Sequence, residues 1–443
     1  MDLLAAARSA NPTRLWWCAD PAAAELADVR LTLTVYNAEG YETMTHDKVR
    51  NERFRLGVEA ARRERRWLEI GPGAHALLTR MVLDGGEPNT SVLAIEGNPE
   101  ACEGARLYLK PYSKHAVRLV QAMSTDPAAV DAILANAPAA LPVRTRDTRV
   151  SPRLQQQQQQ QQAAAQSMRS STPPRYALIQ EVLGLLASSE GVCNIIGRLH
   201  LAGVRFSAMV PTRAATFFSP ALMDSVSTTS DVYVASGSFA LFRKLEINAL
   251  LRKTAGSGPT WERAGVLEYL DFADCANLMR DQHHVTEFES LTEARVNGLA
   301  AWIWCETSAE GAPAQGRFAR TAYPYGCTDV PRARPGSVDF SSNADDMGAA
   351  ATAWRNVFFP FDSTVTLQAN ERLSVSVDVT RLDTPSPMYQ VRAVVAAGKP
   401  LQDGKRAREE RTVFHTVIKN FYPSFSARGR TRKSAEGVDD CVL

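Results

Sequence analysis

The stretch Arg66-Trp67-Leu68-Glu69-Ile70-Gly71-Pro72-Gly73 decides how the first half of the chain folds. Its first five residues form a short, mostly apolar run of the kind that makes a buried strand, and two closely spaced glycines follow it. Glycine permits a tight turn and lets the backbone approach a ligand closely. The next run, Ala74–Leu83, has helical spacing. The segment therefore predicts a strand, a glycine turn and a helix.

Strand-like and helix-like runs continue to alternate downstream of this turn. The further predicted strands are Ser91–Ile95, Val117–Val120, Tyr176–Gln180 and Ala202–Met209, and a helix is predicted over Pro99–Leu109. Such alternation is typical of an α/β architecture built on a parallel sheet.

The second half of the chain has a different pattern. Leu373–Val379 alternates strictly between apolar and polar residues, as a half-buried strand does. Further strand-like runs separated by turn residues are Leu299–Trp304, Val365–Leu367 and Val391–Ala397. This part is predicted to be an antiparallel barrel or sandwich.

These patterns divide the chain into predicted regions. We expect an N-terminal extension (1–29), an α/β domain (30–210), a β domain (211–400) and a C-terminal tail with basic patches (401–443). Within the α/β domain, residues 138–174 include eight consecutive glutamines, Gln155–Gln162. Such a tract buries too little apolar area to offset the entropy of ordering it, so a disordered surface insertion is predicted.

Composition limits the class of protein. At 443 residues the chain exceeds one ordinary core, and a net charge of +2 gives no global indication of nucleic-acid binding. No segment approaches the about 20 apolar residues that span a bilayer. The seven cysteines are scattered without a C-x-x-C, which argues against a disulfide framework and a structural zinc site. We expect a cytoplasmic or nuclear protein without a metal, and interpret His283-His284 as a surface pair.

The glycine turn and a second acidic residue indicate a nucleotide cofactor. Glu96 ends the next strand, 23 residues after Gly73, where its carboxylate can accept hydrogen bonds from both hydroxyls of an adenosine ribose. Dinucleotide-binding dehydrogenases share this arrangement, but Ala76 stands where their third glycine would be. Glu69, before the first glycine, is typical of Rossmann-like methyltransferases. The favoured cofactor is S-adenosylmethionine, with a nicotinamide cofactor as the alternative.

Two further carboxylates suggest what the protein acts on. Glu181 ends a predicted strand, and Glu190 follows nine residues later, after Gly184. Two carboxylates that face one cavity repel each other unless a cation lies between them. A guanidinium is a planar cation that can make two-point hydrogen bonds with each carboxylate. The pair predicts binding of an arginine side chain; the alternative is two surface acids around a loop.

With these motifs in order, the chain resembles the protein arginine methyltransferases over roughly residues 30 to 400. That family has a paired-glutamate loop with this spacing and, upstream, the series that appears here as Met44, Asp47 and Arg50. The resemblance implies a Rossmann-like methyltransferase domain followed by an antiparallel β-barrel. It further implies that Arg50 binds the cofactor carboxylate and that Met44 packs near the target arginine.

Later motifs extend the resemblance and also depart from it. Val210–Ala214 resembles the family's strand-to-barrel junction, Asn297–Trp302 resembles a barrel strand, and Trp354 ends the family's substrate-binding loop. Ala353 replaces the histidine of that loop, and Tyr41 lies outside the usual tyrosine register.

The resemblance implies methylation of arginine-containing, for example Arg/Gly-rich, protein substrates, and a homodimer. The departures keep two alternatives open. One is a cofactor-binding pseudoenzyme or scaffold, and the other is a methyltransferase for another nucleophile.

Overall fold

The computed structural model describes most of the two predicted domains. The described residues are 38–112, 116–135, 175–222, 232–235, 239–242, 251–253, 264–275, 278–308, 338–342, 354, 356–381, 387–396, 411–418, 432–433 and 439–440. The predicted N-terminal extension and the whole of the glutamine-rich insertion lie outside these residues. The predicted domain limits stay predictions.

The first half is an α/β sheet, as predicted. Its strands are β1 (Arg66–Ile70), β2 (Ser91–Glu96), β3 (Val117–Gln121), β4 (Arg175–Gln180) and β5 (Arg205–Val210). They are parallel and lie in the order β3-β2-β1-β4-β5. The described helices are α1 (Ala38–His46), α2 (Lys48–Ala60), α3 (Leu77–Gly85), α4 (Pro99–Leu109), α5 (Pro127–Ala135) and α6 (Val192–Leu201).

Helices on both faces of the sheet explain why its central strands are apolar runs rather than alternating ones. Leu68, Leu93 and Leu178 come from three neighbouring strands and are almost completely buried in one core. Because parallel strands end at the same edge, the carboxyl ends of β1, β2 and β4 are brought side by side.

The second half is antiparallel, also as predicted. Its strands are β6 (Arg213–Ala221), β7 (Val232–Ala235), β8 (Phe239–Phe242), β9 (Leu251–Lys253), β10 (Gly265–Asp271), β11 (Gln282–Ser290), β12 (Ala294–Ser308), β13 (Val338–Ser341), β14 (Asn356–Leu367), β15 (Arg372–Thr380), β16 (Met388–Ala396), β17 (Arg411–Ile418), β18 (Arg432–Lys433) and β19 (Asp439–Asp440). One sheet has the order β10-β6-β12-β14-β8-β7 with β13 on β12, and another has the order β17-β16-β15-β11-β9. β17 lies past residue 400, so this sheet continues into the region predicted as a tail.

The two antiparallel sheets share a core. Phe218, Leu299, Val375 and Val391, from β6, β12, β15 and β16, belong to one buried cluster. On β15 the apolar residues are fully buried while the residues between them are half-exposed. This is the alternation that the sequence predicted for Leu373–Val379.

The two halves are joined by buried polar contacts and by close packing. Thr307 on β12 donates a hydrogen bond to the backbone carbonyl of Arg53 on α2. Just inside the antiparallel half, Arg213, the first residue of β6, makes a buried two-point ion pair with Glu306 on β12. Helix α2 packs at the same place: a Cβ on Gly57 would lie 2.6 Å from the carbonyl oxygen of Thr307. Only glycine lets α2 approach β12 this closely, and this contact fixes the helix that carries Arg50. Among the described helices, none is long and apolar enough to cross a membrane.

Candidate active site

A cleft lies at the carboxyl ends of β1, β2 and β4, under helix α1. Every residue predicted for the cofactor site lines it, as do three of the four predicted catalytic or substrate residues. These are Arg50, Glu69, Gly71, Gly73 and Glu96, with Met44, Glu181 and Glu190. Tyr41, Thr45, Asn98 and Asn194 also line the cleft, although sequence reasoning gave them no role.

The glycine turn has the conformation that its residues predict. Gly71 and Gly73 have φ values of 69° and 65°, in the left-handed region where glycine carries no steric penalty. Ala76 is also left-handed, with φ at 45°, and its N–H bonds the Gly73 carbonyl at 3.2 Å. Because this extra turn comes first, α3 begins at Leu77 rather than at the predicted Ala74.

Tyr41 covers the glycine turn. A Cβ on Gly73 would lie 2.6 Å from a carbon of the Tyr41 ring, so the absent side chain makes room for α1. Burial raises the pKa of Tyr41 well above its ordinary value, and the nearby carboxylates of Glu96 and Glu190 add to this effect. The phenol therefore stays protonated and is a neutral hydrogen-bond donor inside the cleft.

Glu96 is buried and held by backbone amides. Its two carboxylate oxygens accept hydrogen bonds from the N–H of Gly73 at 2.9 Å and of Asn98 at 2.8 Å. Burial raises its pKa despite these bonds. A carboxylate has about four acceptor positions, so each oxygen can take a further donor. The group is thus aligned to accept a pair of hydroxyls.

Glu69 is a fully buried carboxyl group on the floor of the cleft. Thr79 donates a hydrogen bond to Oε2, whereas Oε1 has no hydrogen-bond partner among the residues that the structure describes. Burial raises its pKa from an ordinary value of 4.5 to about 8. A buried polar atom without a partner is costly, so Oε1 is suited to accept a donor from a bound molecule.

Arg50 and Glu181 contact each other directly. The guanidinium Nε and one terminal nitrogen donate to the two carboxylate oxygens, and the side chains are only 3% and 8% exposed. The other terminal nitrogen donates to the carbonyl of Met44 at 2.8 Å and to Asn51 at 2.7 Å. The backbone amide of Arg50 is in turn held by Asp47, the N-cap of α2. The predicted cofactor and acceptor residues therefore meet at one point.

The loop from Glu181 to Glu190 folds back on itself. A Cβ on Gly184 would lie 2.0 Å from the hydroxyl oxygen of Ser189 and 3.0 Å from Cγ of Glu190. Only glycine allows this fold, and both glutamates line the same cleft as a result.

Trp354 lies apart from the other predicted residues. It is half-buried and packs on Phe340, with the ring centroids 4.9 Å apart, and it is not among the residues that line the cleft. The other two residues of its motif, Thr352 and Ala353, lie outside the described part of the chain.

Nothing in the described ranges is arranged as a metal site: no group of three or more His, Cys, Asp or Glu side chains there could hold an ion. His283, considered above as one of a surface pair, is 62% exposed and bonds Asp378 at 2.6 Å.

No protein-family model matches the sequence, and no curated protein does. Among solved structures, Arabidopsis thaliana protein arginine methyltransferase 10, in a uniquely open conformation, matches with a TM-score of 0.52 at 12% identity. The match covers 88% of this chain and 99% of that one. The chain has the protein arginine methyltransferase fold.

A second match is to the Trypanosoma brucei PRMT1 enzyme–prozyme heterotetrameric complex with AdoHcy. It has a TM-score of 0.49 at 11% identity and covers 86% of this chain and 98% of that one. The Arabidopsis match and the order of the strands confirm the predicted fold class. At such low identity the similarity is one of fold.

Proposed function

We propose that the protein transfers a methyl group from S-adenosylmethionine to a guanidinium nitrogen of arginine in protein substrates. The observation that carries the proposal is the convergence of Glu181 and Glu190 on one cleft, beside the glycine turn and Glu96. Carboxylates placed together favour a cation between them, and a guanidinium offers donors to both. The resemblance in sequence and the likeness in fold support the same assignment.

The residues of the cleft suit the proposed cofactor. Glu96 can accept the two ribose hydroxyls with the acceptor positions that its backbone bonds leave open. The left-handed glycines allow close approach of the backbone, and Glu69 Oε1 offers a buried acceptor. Arg50, in the first turn of α2, is the proposed partner of the cofactor carboxylate. The bound cofactor would supply an electrophilic methyl group on a sulfonium sulfur.

The protein's own contribution is to bind and orient the acceptor. Glu181 and Glu190 hold the guanidinium and can draw its positive charge toward one nitrogen, which leaves the other richer in electron density. Arg50 fixes the orientation of Glu181 through its two-point pair. Placing the reacting nitrogen in line within a cleft shielded from water accelerates the transfer through proximity.

A second candidate is a cofactor-binding scaffold without turnover. Trp354, the predicted substrate residue, packs on Phe340 outside the cleft, and Ala353 replaces the loop histidine of the family. Such a protein would bind the cofactor and a protein partner without methylating it.

Mass spectrometry of an Arg-Gly-rich peptide after incubation with labelled S-adenosylmethionine tests the proposal. We expect labelled methyl groups on arginine with the full-length protein, formed about 100-fold or more slowly with the Glu181→Gln variant. A matched peptide with lysine in place of arginine should stay unlabelled, and its labelling would favour another nucleophile. Stabilisation by S-adenosylhomocysteine with no labelled peptide would favour the scaffold. Stabilisation by NAD instead would favour the dehydrogenase alternative.

The proposal extends to partners and location. The homodimer implied by the resemblance is tested by sedimentation velocity of the full-length protein. The cytoplasmic or nuclear location is tested by imaging a tagged chain in cells.

A further inference from the structure

A cluster of buried polar side chains from the antiparallel half surrounds the middle of the Glu181–Glu190 loop. It consists of Thr216 on β6, Glu268 on β10, Arg381 just after β15 and Tyr389 on β16. Their side chains are at most 3% exposed. Ser188, two residues before Glu190, lies at the centre of this cluster, which we call the loop anchor.

The loop anchor binds the backbone of the loop as well as its side chains. The N–H of Ala187 donates to the hydroxyl of Thr216 at 2.8 Å, and the N–H of Ser188 donates to Glu268 at 3.0 Å. Two consecutive buried backbone N–H groups thus donate hydrogen bonds to side chains of the antiparallel half. A buried amide requires a partner, so the conformation of the loop depends on these two side chains.

The Ser188 hydroxyl connects the loop to the rest of the cluster. It donates to Glu268, accepts from Arg381 and lies 2.9 Å from the Tyr389 hydroxyl. Three regions that are distant in sequence therefore meet at one side chain, with Arg381 and Tyr389 both in the third.

Glu268 is the acceptor that holds the cluster together. Besides Ser188, it accepts hydrogen bonds from Thr216 at 2.9 Å and Tyr389 at 3.0 Å, and it pairs with Arg381 at 3.3 Å. Burial and the neighbouring Glu268 carboxylate raise the pKa of Tyr389 well above its ordinary value, so its hydroxyl remains a donor. Nε of Arg381 has no hydrogen-bond partner among the described residues, and the other buried side-chain polar atoms of the cluster are paired. A buried polar network whose groups are paired is rigid.

We propose that the loop anchor positions Glu190 for the proposed methyl transfer, with Thr216, Glu268 and Tyr389 as positioning residues that act through the loop. The inference rests on the proposed function. Its physical basis is the short distance along the chain: Ser188 is two residues from Glu190, and a displacement of about 1 Å at a reacting centre can cost about 100-fold in rate.

The experiment compares Tyr389→Phe and Thr216→Val with the control Tyr269→Phe. Each variant removes one hydroxyl with little change in shape. Tyr269 lies on β10 beside Glu268, but its hydroxyl contacts Arg213 at 3.4 Å and not the loop. In all four proteins we measure amide hydrogen exchange, the Kd for S-adenosylhomocysteine, and kcat and KM on an arginine peptide well below the lowest melting temperature.

For the two anchor variants we expect exchange in residues 183–190 to rise about threefold or more, while exchange in residues 69–73 stays the same. Their kcat should fall about tenfold or more and KM should rise, with Kd for S-adenosylhomocysteine within about twofold of the parent. The control should match the parent in exchange over the loop and in kcat. A role in stability alone would lower the melting temperature and leave kcat unaltered.

The exchange data separate failure of this inference from failure of the proposed function. Unchanged loop exchange in both anchor variants would overturn the anchoring, whether or not the parent protein is active. Faster loop exchange with unchanged kcat would overturn the link to Glu190. A parent protein without methyl transfer would overturn the proposed function and the catalytic consequence, and the exchange result would then stand as evidence on loop order alone.

Discussion

At the scale of single residues, the direct ion pair between Arg50 and Glu181 connects a predicted cofactor residue with a predicted acceptor residue. The two residues are 131 positions apart in sequence, and each was assigned a different ligand from its own motif. Because they share two hydrogen bonds, a change in one alters the environment of the other. The cofactor and acceptor subsites are therefore expected to be coupled through this pair.

Most of the cleft could be predicted because its residues follow simple rules of position. Glu69, Glu96 and Glu181 lie at strand ends, and the strands of a parallel sheet end at the same edge. The position of Tyr41 could not be predicted, since it depends on how α1 packs on the glycine turn. Trp354 was assigned from its motif alone, and its contact with Phe340 depends on long-range packing of the antiparallel half.

The first prediction concerns Glu181. Replacement by Gln should lower kcat on an arginine peptide by a factor of about 100 or more, because it removes one charged partner of the guanidinium. It should also lower the melting temperature, since the buried Arg50 loses its ion-pair partner. Glu190→Gln, which leaves that pair in place, should lower kcat with a smaller change in melting temperature. Normal turnover in both variants would contradict the assigned roles.

The second prediction concerns pH and Glu69. Its pKa is raised from 4.5 to about 8 in the folded protein, so between these values the folded state keeps a proton that the unfolded chain releases. Stability should therefore fall as the pH rises through this window. Glu69→Gln, an uncharged mimic of the protonated acid, should show a smaller fall.

The measurement is the melting temperature of parent and variant at pH 5 and pH 8. The melting temperature of the Glu69→Gln variant should rise relative to that of the parent as the pH rises. Substitution of the exposed Glu87 by Gln should leave the pH dependence of the melting temperature unaltered. Parallel curves for the parent and Glu69→Gln would contradict the raised pKa.

At the scale of elements, the strands of the parallel sheet could be predicted closely, while turns could not. β1, β2 and β4 begin and end within one residue of their predicted limits, because a strand buried on both faces is a short apolar run bounded by turn residues. Helix α3 starts three residues late because Ala76 takes a left-handed conformation that its residue type does not indicate. β6 was not predicted as a strand because, although it is buried along its whole length, Arg213, Thr216, Ser219 and Pro220 interrupt its apolar residues.

The third prediction tests the contact between the glycine turn and α1. Gly71→Ala and Gly73→Ala both place a side chain at a left-handed φ, which costs about 1–2 kcal/mol each. Only the second also meets the Tyr41 ring, at 2.6 Å; a Cβ on Gly71 meets Val182 at an ordinary 3.7 Å. Gly73→Ala should therefore be the less stable variant and the weaker binder of S-adenosylhomocysteine.

A double-mutant cycle tests whether the Tyr41 ring causes the difference in stability between Gly71→Ala and Gly73→Ala. In a Tyr41→Ala background the stability gap between the two alanine variants should close, because the clash is removed. A gap that persists would show that Tyr41 is not its cause.

At the scale of the whole molecule, the first half of the chain lines the cleft, and the antiparallel half holds two of its elements in place. The parallel sheet supplies the strand ends, and the antiparallel half holds α2 through Thr307 and the glutamate loop through Glu268. Sequence patterns indicate each half from its own periodicity, but they carry no signal for the contacts between the halves. Such contacts depend on the relative placement of segments that lie far apart in the sequence.

The fourth prediction concerns a buried ion pair inside the antiparallel half, at the point where the chain enters it from β5. Arg213 and Glu306 form a two-point pair with side chains 3% and 0% exposed, so Arg213→Met leaves a buried carboxylate without its cation. The free energy of unfolding should fall by about 3–5 kcal/mol, measured by urea denaturation. Adding Glu306→Gln should recover part of the loss, because the unpaired charge is then removed while Thr212 keeps an acceptor for its hydroxyl. If the double variant is less stable than Arg213→Met, the geometry of the pair rather than its charge determines what it contributes to stability.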